Sequence, residues 1–167
     1  IDTSFMLRRR QALKLAETDI KSTLPSLSNQ AAKDADQPMP ARTYSQHATP
    51  TSWGAMIATW GMPLLDALNE LDELRVSSLW VSLSGAAGTS SALGPKAHQT
   101  RTDLAAALGL TDPKRSWHTD RTPVLRIADW SARVTTILGA MGQSLIGLSA
   151  GGIEGVTLGT TGASTTL

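Results

Sequence analysis

The sequence predicts an all-α fold, a bundle of long helices, and three observations carry that expectation. Three stretches repeat apolar residues at spacings of three and four, the period of a helix buried along one stripe. Each stretch is several turns long. The segments between them are rich in Gly, Pro, Ser and Thr, the residues that stop helices.

The first helix is expected over residues 3–28, where Phe5, Ala12, Ala16, Ile20, Leu24 and Leu27 share a face opposite Arg, Lys and Glu. Pro25 should kink or end it, because proline has no N–H and its ring crowds the preceding turn. The run Arg8-Arg9-Arg10 lies on this helix and reads as a solvated face or a subunit contact. Residues 29–50, punctuated by Pro38, Pro40 and Pro50, read as a long connection of the kind that often carries function. A second helix should start near Thr49, with Thr49 as cap and Pro50 in the first turn. Trp53, Ile57, Trp60, Leu64, Leu68 (or Ala67), Leu71 and Leu74 form its stripe, and Pro63 should bend it.

Val76 to Leu83 could pass for a short strand and leads into the small-residue loop Ser84–Ser91. A short helix is expected at 97–108, closed by Gly109, and then a connection at 110–123 carrying Trp117-His118-Thr119-Asp120-Arg121. The last long helix spans Val124 to Leu148, with Val124, Ile127, Ser131, Val134, Leu138, Met141, Leu145 and Leu148 on its stripe. The Gly/Thr/Ser-rich tail after Ala150 reads as a mobile loop. Apolar stripes of this length exceed what three helices can cover, so subunit or domain partners are expected over the remainder. Trp53, Trp60 and Trp130 are expected to pack within the bundle.

Composition narrows the function. With 15 basic and 14 acidic residues the net charge is +1, which gives no electrostatic case for nucleic acid or an anionic membrane. No apolar run approaches the ~20 residues of a membrane span. The absence of cysteine excludes disulfides, thiolate catalysis and Cys-ligated zinc, and fits a cytoplasmic location. His47, His98 and His118 lie in separate segments without metal-ligand spacing, so no metal is expected. Phosphate-binding, dinucleotide-binding, zinc-protease and serine-hydrolase motifs are all missing.

Three loops gather small and polar residues. The first, Ala41-Arg42-Thr43-Tyr44-Ser45-Gln46-His47-Ala48-Thr49-Pro50-Thr51-Ser52-Trp53-Gly54, leads into a helix N-terminus, where free N–H groups favour anions. The second is Ser84-Gly85-Ala86-Ala87-Gly88-Thr89, and the third is the tail end Ala163-Ser164-Thr165-Thr166-Leu167. Taken in order, they resemble the three signature blocks of the fumarase/aspartase superfamily. The first block there reads G-R-T-H-x-Q-x-A-x-P-x-T-x-G, and this chain matches it at Arg42, Thr43, Gln46, Ala48, Pro50 and Gly54. The second is a G-G-A-x-G-T loop. Only the start of the third, G-S-S-x-M-P-x-K-x-N, has a counterpart here, with Leu167 at the Met position.

The segment Trp117 to Arg121 is similar to the W-H-T-x-R of the carboxymuconate cycloisomerase branch. The resemblance implies the central helical-bundle domain of the superfamily fold over residues 1–167, with N-terminal and C-terminal domains lying outside the chain. It implies a homotetramer with active sites shared between subunits, and no cofactor. It also implies lactonisation of a small tricarboxylate, 3-carboxy-cis,cis-muconate, with an adenylosuccinate-lyase-like or other superfamily lyase reaction, or a non-catalytic helical oligomerisation module, as the alternatives. By the same resemblance Ser164 would exchange a proton at the reacting carbon. Arg42, Thr43, Tyr44, Gln46, Ser84, Thr89, His118 and Arg121 would hold carboxylates or line the pocket. One departure is chemical. Family lyases place a His after the Thr of block one to protonate a leaving group, and this chain has Tyr44 there. A carboxylate that closes a lactone is already an anion, with a pKa of about 4, and needs no such acid.

Overall fold

The computed structural model describes residues 1–44, 46–150 and 155–157. Helix α1 (Asp2–Lys33) runs the length of the molecule. A hairpin of β1 (Pro38–Thr43) and β2 (Gln46–Ser52) follows, then α2 (Trp53–Asn69) and α3 (Leu71–Ser78). An extended stretch leads to a 3-10 turn (Ser91–Lys96), α4 (Ala97–Leu108) and α5 (Thr122–Leu148). The expected helical bundle is present, with one small two-stranded addition.

Helix α1 does not stop at residue 28. It passes through Pro25 to Lys33. One missing N–H is offset because Leu24 and Leu27, on either side of the proline, pack against the core. Residues 38–52, expected as a connection running into a helix from about Thr49, form an antiparallel ribbon in which Pro40 faces Pro50 and Thr43 faces Gln46. The prolines read as loop punctuation, yet a two-stranded ribbon has only edge strands, where an absent donor breaks no inner ladder. Helix α2 consequently begins at Trp53 and not near Thr49. Its cap is Ser52, whose hydroxyl accepts from Ala55 N–H at 3.1 Å.

The core gathers Met6, Leu13 and Ile20 from α1, Leu64 and Ala67 from α2, Leu71 and Leu74 from α3, and Ile127, Trp130 and Val134 from α5. Trp130 Nε1–H donates to the Ala67 carbonyl at 2.8 Å, which joins α5 to α2. The stripe read for α1 is one position out of phase in its first turns. Met6 and Leu13 are buried, Phe5 and Ala16 only partly so, and Ala12 is exposed. On α5, Ser131 and Leu138 are exposed and Trp130 takes the inward place.

Val76 is helical, within α3, and not part of a strand. Beyond it Trp80 makes a single parallel bridge with Thr111. Arg10, expected on a solvated face or at a subunit contact, reaches the Leu108 and Gly109 carbonyls and satisfies the C-terminal end of α4. Arg9 lies over the Phe5 ring, 4.7 Å from its centroid. At the same end Arg101, 4% exposed, is paired with Asp112 at 2.6 Å. Burial works against the Asp112 charge. The Thr102 hydroxyl, the Arg101 guanidinium and the Lys114 N–H outweigh it and hold the carboxyl below its ordinary range. No helix among the described residues is long and apolar enough to cross a membrane.

Candidate active site

The residues expected to form the site fall into two groups, at opposite ends of α1. The first group is on the hairpin, which is anchored to the C-terminal end of α1. Trp53 N–H donates to the Gln37 carbonyl at 2.8 Å, and Gly54 N–H to the Asp34 carbonyl at 2.9 Å. Gly54 is required there, since a Cβ would lie 2.7 Å from the Ala35 Cα. Thr43 and Gln46 face each other across the ribbon and are exposed. Tyr44 sits at the turn with φ 47 and is 99% exposed. Arg42 is half-buried, and its Nε is buried with no hydrogen-bond partner among the described residues.

Arg42 lines a cavity of about 700 Å³ with Lys33, Asp34, His47, Trp53 and Leu148. Lys33 and His47 are lining residues that the sequence alone does not single out. His47 lies across the ribbon from Arg42, a register that the proline-punctuated sequence does not reveal. Lys33 is hidden because its helix is expected to end earlier.

The second group lies at the N-terminal end of α1. Thr3 Oγ1 bonds both the N–H and the carbonyl of Ser82 at 3.0 Å, which brings the chain back to that end. The loop that follows folds over itself. Ser90 N–H donates to the Ser84 carbonyl at 2.7 Å, and Ser84 is buried. Thr89 is exposed, 3.0 Å from the Ser91 hydroxyl. Packed against this loop is the segment with His118 and Arg121. Trp117, just before His118, is 1% exposed and donates from Nε1 to the Val81 carbonyl at 2.8 Å. Arg121 lies over the Trp117 ring at 5.6 Å and pairs with Asp2 at 3.2 Å. Asp120 accepts from Thr122 N–H at 3.0 Å and pairs with Arg115 at 2.7 Å. Its bonds to Thr122, and then to Arg115, hold its carboxyl below the ordinary range.

Ser84, Thr89, His118 and Arg121 therefore form one cluster, and Arg42, Thr43, Tyr44 and Gln46 another. The 32 residues of α1 separate them, about 48 Å at 1.5 Å per residue. No single small molecule reaches both clusters of one chain. Ser164, expected to be the proton-exchanging residue, lies outside the described residues. Helix α5 runs in the same direction as α1. Arg121 at its start meets Asp2, and Leu148 at its end lines the hairpin cavity.

A long-helix bundle with polar loops at both ends defines a class. A family model described as lyase matches residues 1–164, and the chain belongs to that family. Within it, the chain is 36% identical over 145 residues to the 3-carboxy-cis,cis-muconate cycloisomerase of Pseudomonas aeruginosa, covering 87% of this chain and 32% of that protein. It is 37% identical over 145 residues to the protein of the same name from Pseudomonas putida, covering 87% and 34%. The crystal structure of 3-carboxy-cis,cis-muconate lactonizing enzyme from Pseudomonas putida superposes with a TM-score of 0.86 at 36% identity, over 90% of this chain and 34% of that one. The chain thus spans about a third of the length of these relatives. The fumarase/aspartase resemblance read from the three loops agrees with these matches.

Proposed function

We propose that this chain contributes the central helical domain of a 3-carboxy-cis,cis-muconate cycloisomerase. The observation that carries the reading is the likeness, over 87% of the chain, to two proteins of that name. The site geometry supports it. Both clusters hold cations or hydrogen-bond donors suited to carboxylates: Arg42 and Lys33 at one end, His118 and Arg121 at the other. The proposed substrate carries three carboxylates.

In the proposed reaction one substrate carboxylate oxygen adds to a carbon of the double bond and closes the lactone ring. The displaced electron pair moves onto the neighbouring carbon and is shared with the carboxylate attached there, as in an enolate. That carbon then takes a proton from Ser164, whose oxygen is reprotonated by solvent. Nothing leaves, so no leaving group needs an acid. Tyr44 at the exposed hairpin turn fits this chemistry, where a histidine would serve a lyase. Donors held around the second carboxylate stabilise the charge as it develops. The residues require no cofactor for these steps.

The separation of the clusters supports a homotetramer in which the hairpin of one copy meets the His118 loop of another. Exposed Leu15, Met62, Val76, Leu125 and Ile146 supply apolar surface for such contacts. A cytoplasmic location belongs to the same proposal.

The test is an ultraviolet assay of the complete gene product with 3-carboxy-cis,cis-muconate, adenylosuccinate and argininosuccinate. Loss of muconate absorbance with lactone as product supports the reading. Cleavage of a succinyl substrate in its place assigns the protein to the lyase reactions and sinks it.

A further inference from the structure

His118 is held on two sides. The Ser116 hydroxyl lies 2.7 Å from its Nδ1. Gly88, at φ 75, packs against the same ring. A Cβ there would sit 2.8 Å from His118 Cε1 and 3.0 Å from Ser116 Oγ. Trp117, buried between the two residues and bonded to Val81, fixes the backbone that carries both. His118 is otherwise exposed, so Nε2 is the ring nitrogen left for a ligand.

The hydroxyl decides what Nε2 offers. A neutral imidazole has one N–H and one bare nitrogen. Nδ1 is the one hydrogen-bond partner of the Ser116 hydroxyl among the described residues. Donation to Nδ1 puts the ring proton on Nε2. If the ring gains a second proton, the hydroxyl turns and accepts from Nδ1–H, and Nε2 still carries its proton. A carboxylate only accepts hydrogen bonds, so it finds a donor in both states.

We infer that Ser116 and Gly88 are positioning residues which hold His118 with Nε2–H directed outward as a carboxylate donor. The role at the site rests on the carboxylate substrate proposed above; the ring geometry does not. Long-range ¹H–¹⁵N correlation on the complete gene product, ¹⁵N-labelled at histidine, reads the tautomer without substrate, with His118→Gln identifying the signals. Above the imidazole titration range, the expected spectrum shows His118 protonated at Nε2, with Nδ1 shifted as a hydrogen-bond acceptor. Ser116→Ala should remove that shift and return the ring to the solution mixture of tautomers, and Ser116→Thr should restore it. Near-ultraviolet circular dichroism of the Trp residues confirms that each variant is folded.

A wild-type ring protonated at Nδ1, or identical spectra in wild type and Ser116→Ala, overturns the inference. In the complete gene product, Ser116→Ala should raise KM for 3-carboxy-cis,cis-muconate roughly threefold to tenfold, the size of one hydrogen bond, with kcat little changed. An unchanged KM removes the role at the site. Absence of all muconate turnover in the wild type fails the proposed function and leaves the tautomer result to decide the positioning.

Discussion

Asp112 shows how one carboxylate ties a connection to a helix. Its partners are the buried Arg101, the Thr102 hydroxyl and the Lys114 N–H. Asp112→Ala strands a buried guanidinium and should cost about 3–5 kcal/mol, read as a lowered denaturant midpoint. The pH dependence has a definite sign. The folded carboxyl titrates below its ordinary value of 3.8, so its contribution is present above that pH and lost as pH falls through the folded value. Glu17, bonded to Lys21 and Arg75, and Glu70, bonded to Arg133, are lowered in the same direction. The thermal midpoint should stay level near neutrality and fall below about pH 4, more shallowly in Asp112→Asn than in wild type. Under the proposed reading, Ser164 exchanges the proton at the reacting carbon. Ser164→Ala should lower kcat by about 10²–10⁴-fold while leaving the melting temperature in place.

At the scale of elements, the hairpin's seating on α1 depends on Gly54. A methyl group there presses on backbone, which cannot swing aside, so Gly54→Ala should destabilise by about 1–3 kcal/mol in denaturant titration. Trp130 fills the junction of α5 with α2, and Trp130→Ala should cost about 3–5 kcal/mol in the same measurement. The helices were legible in the sequence because burial on one face imposes a period, and Ile57, Leu64, Ala67 and Ile127 sit where that period places them. The hairpin was not legible. Pro38, Pro40 and Pro50 are local signals against strands, and tertiary contact at Asp34 and Gln37 overrides them. The true end of α1 was hidden for a related reason, since Pro25 is a local breaker that packing on both sides overrules. The polar loops were found by composition, and their placement at opposite ends was not. Spacing along a chain does not say which end of a bundle a loop returns to. That came from Thr3 meeting Ser82 and Arg121 meeting Asp2.

Across the whole molecule the two polar clusters share one helix, yet it keeps them about 48 Å apart. A substrate of three carboxylates is far smaller than that. Under the proposed reading a working site joins the hairpin of one copy to the His118 loop of another. Mixing two inactive variants tests this. Arg42→Ala and His118→Ala, co-expressed, should recover part of the activity that each lacks alone, because some mixed sites then contain neither change. The most direct measurement of the central claim is turnover of 3-carboxy-cis,cis-muconate by the complete gene product, with the product identified by NMR. Conversion to 4-carboxymuconolactone is expected, with no cleavage of adenylosuccinate or argininosuccinate. A preparation that releases fumarate from either succinyl compound and leaves the muconate untouched would contradict it.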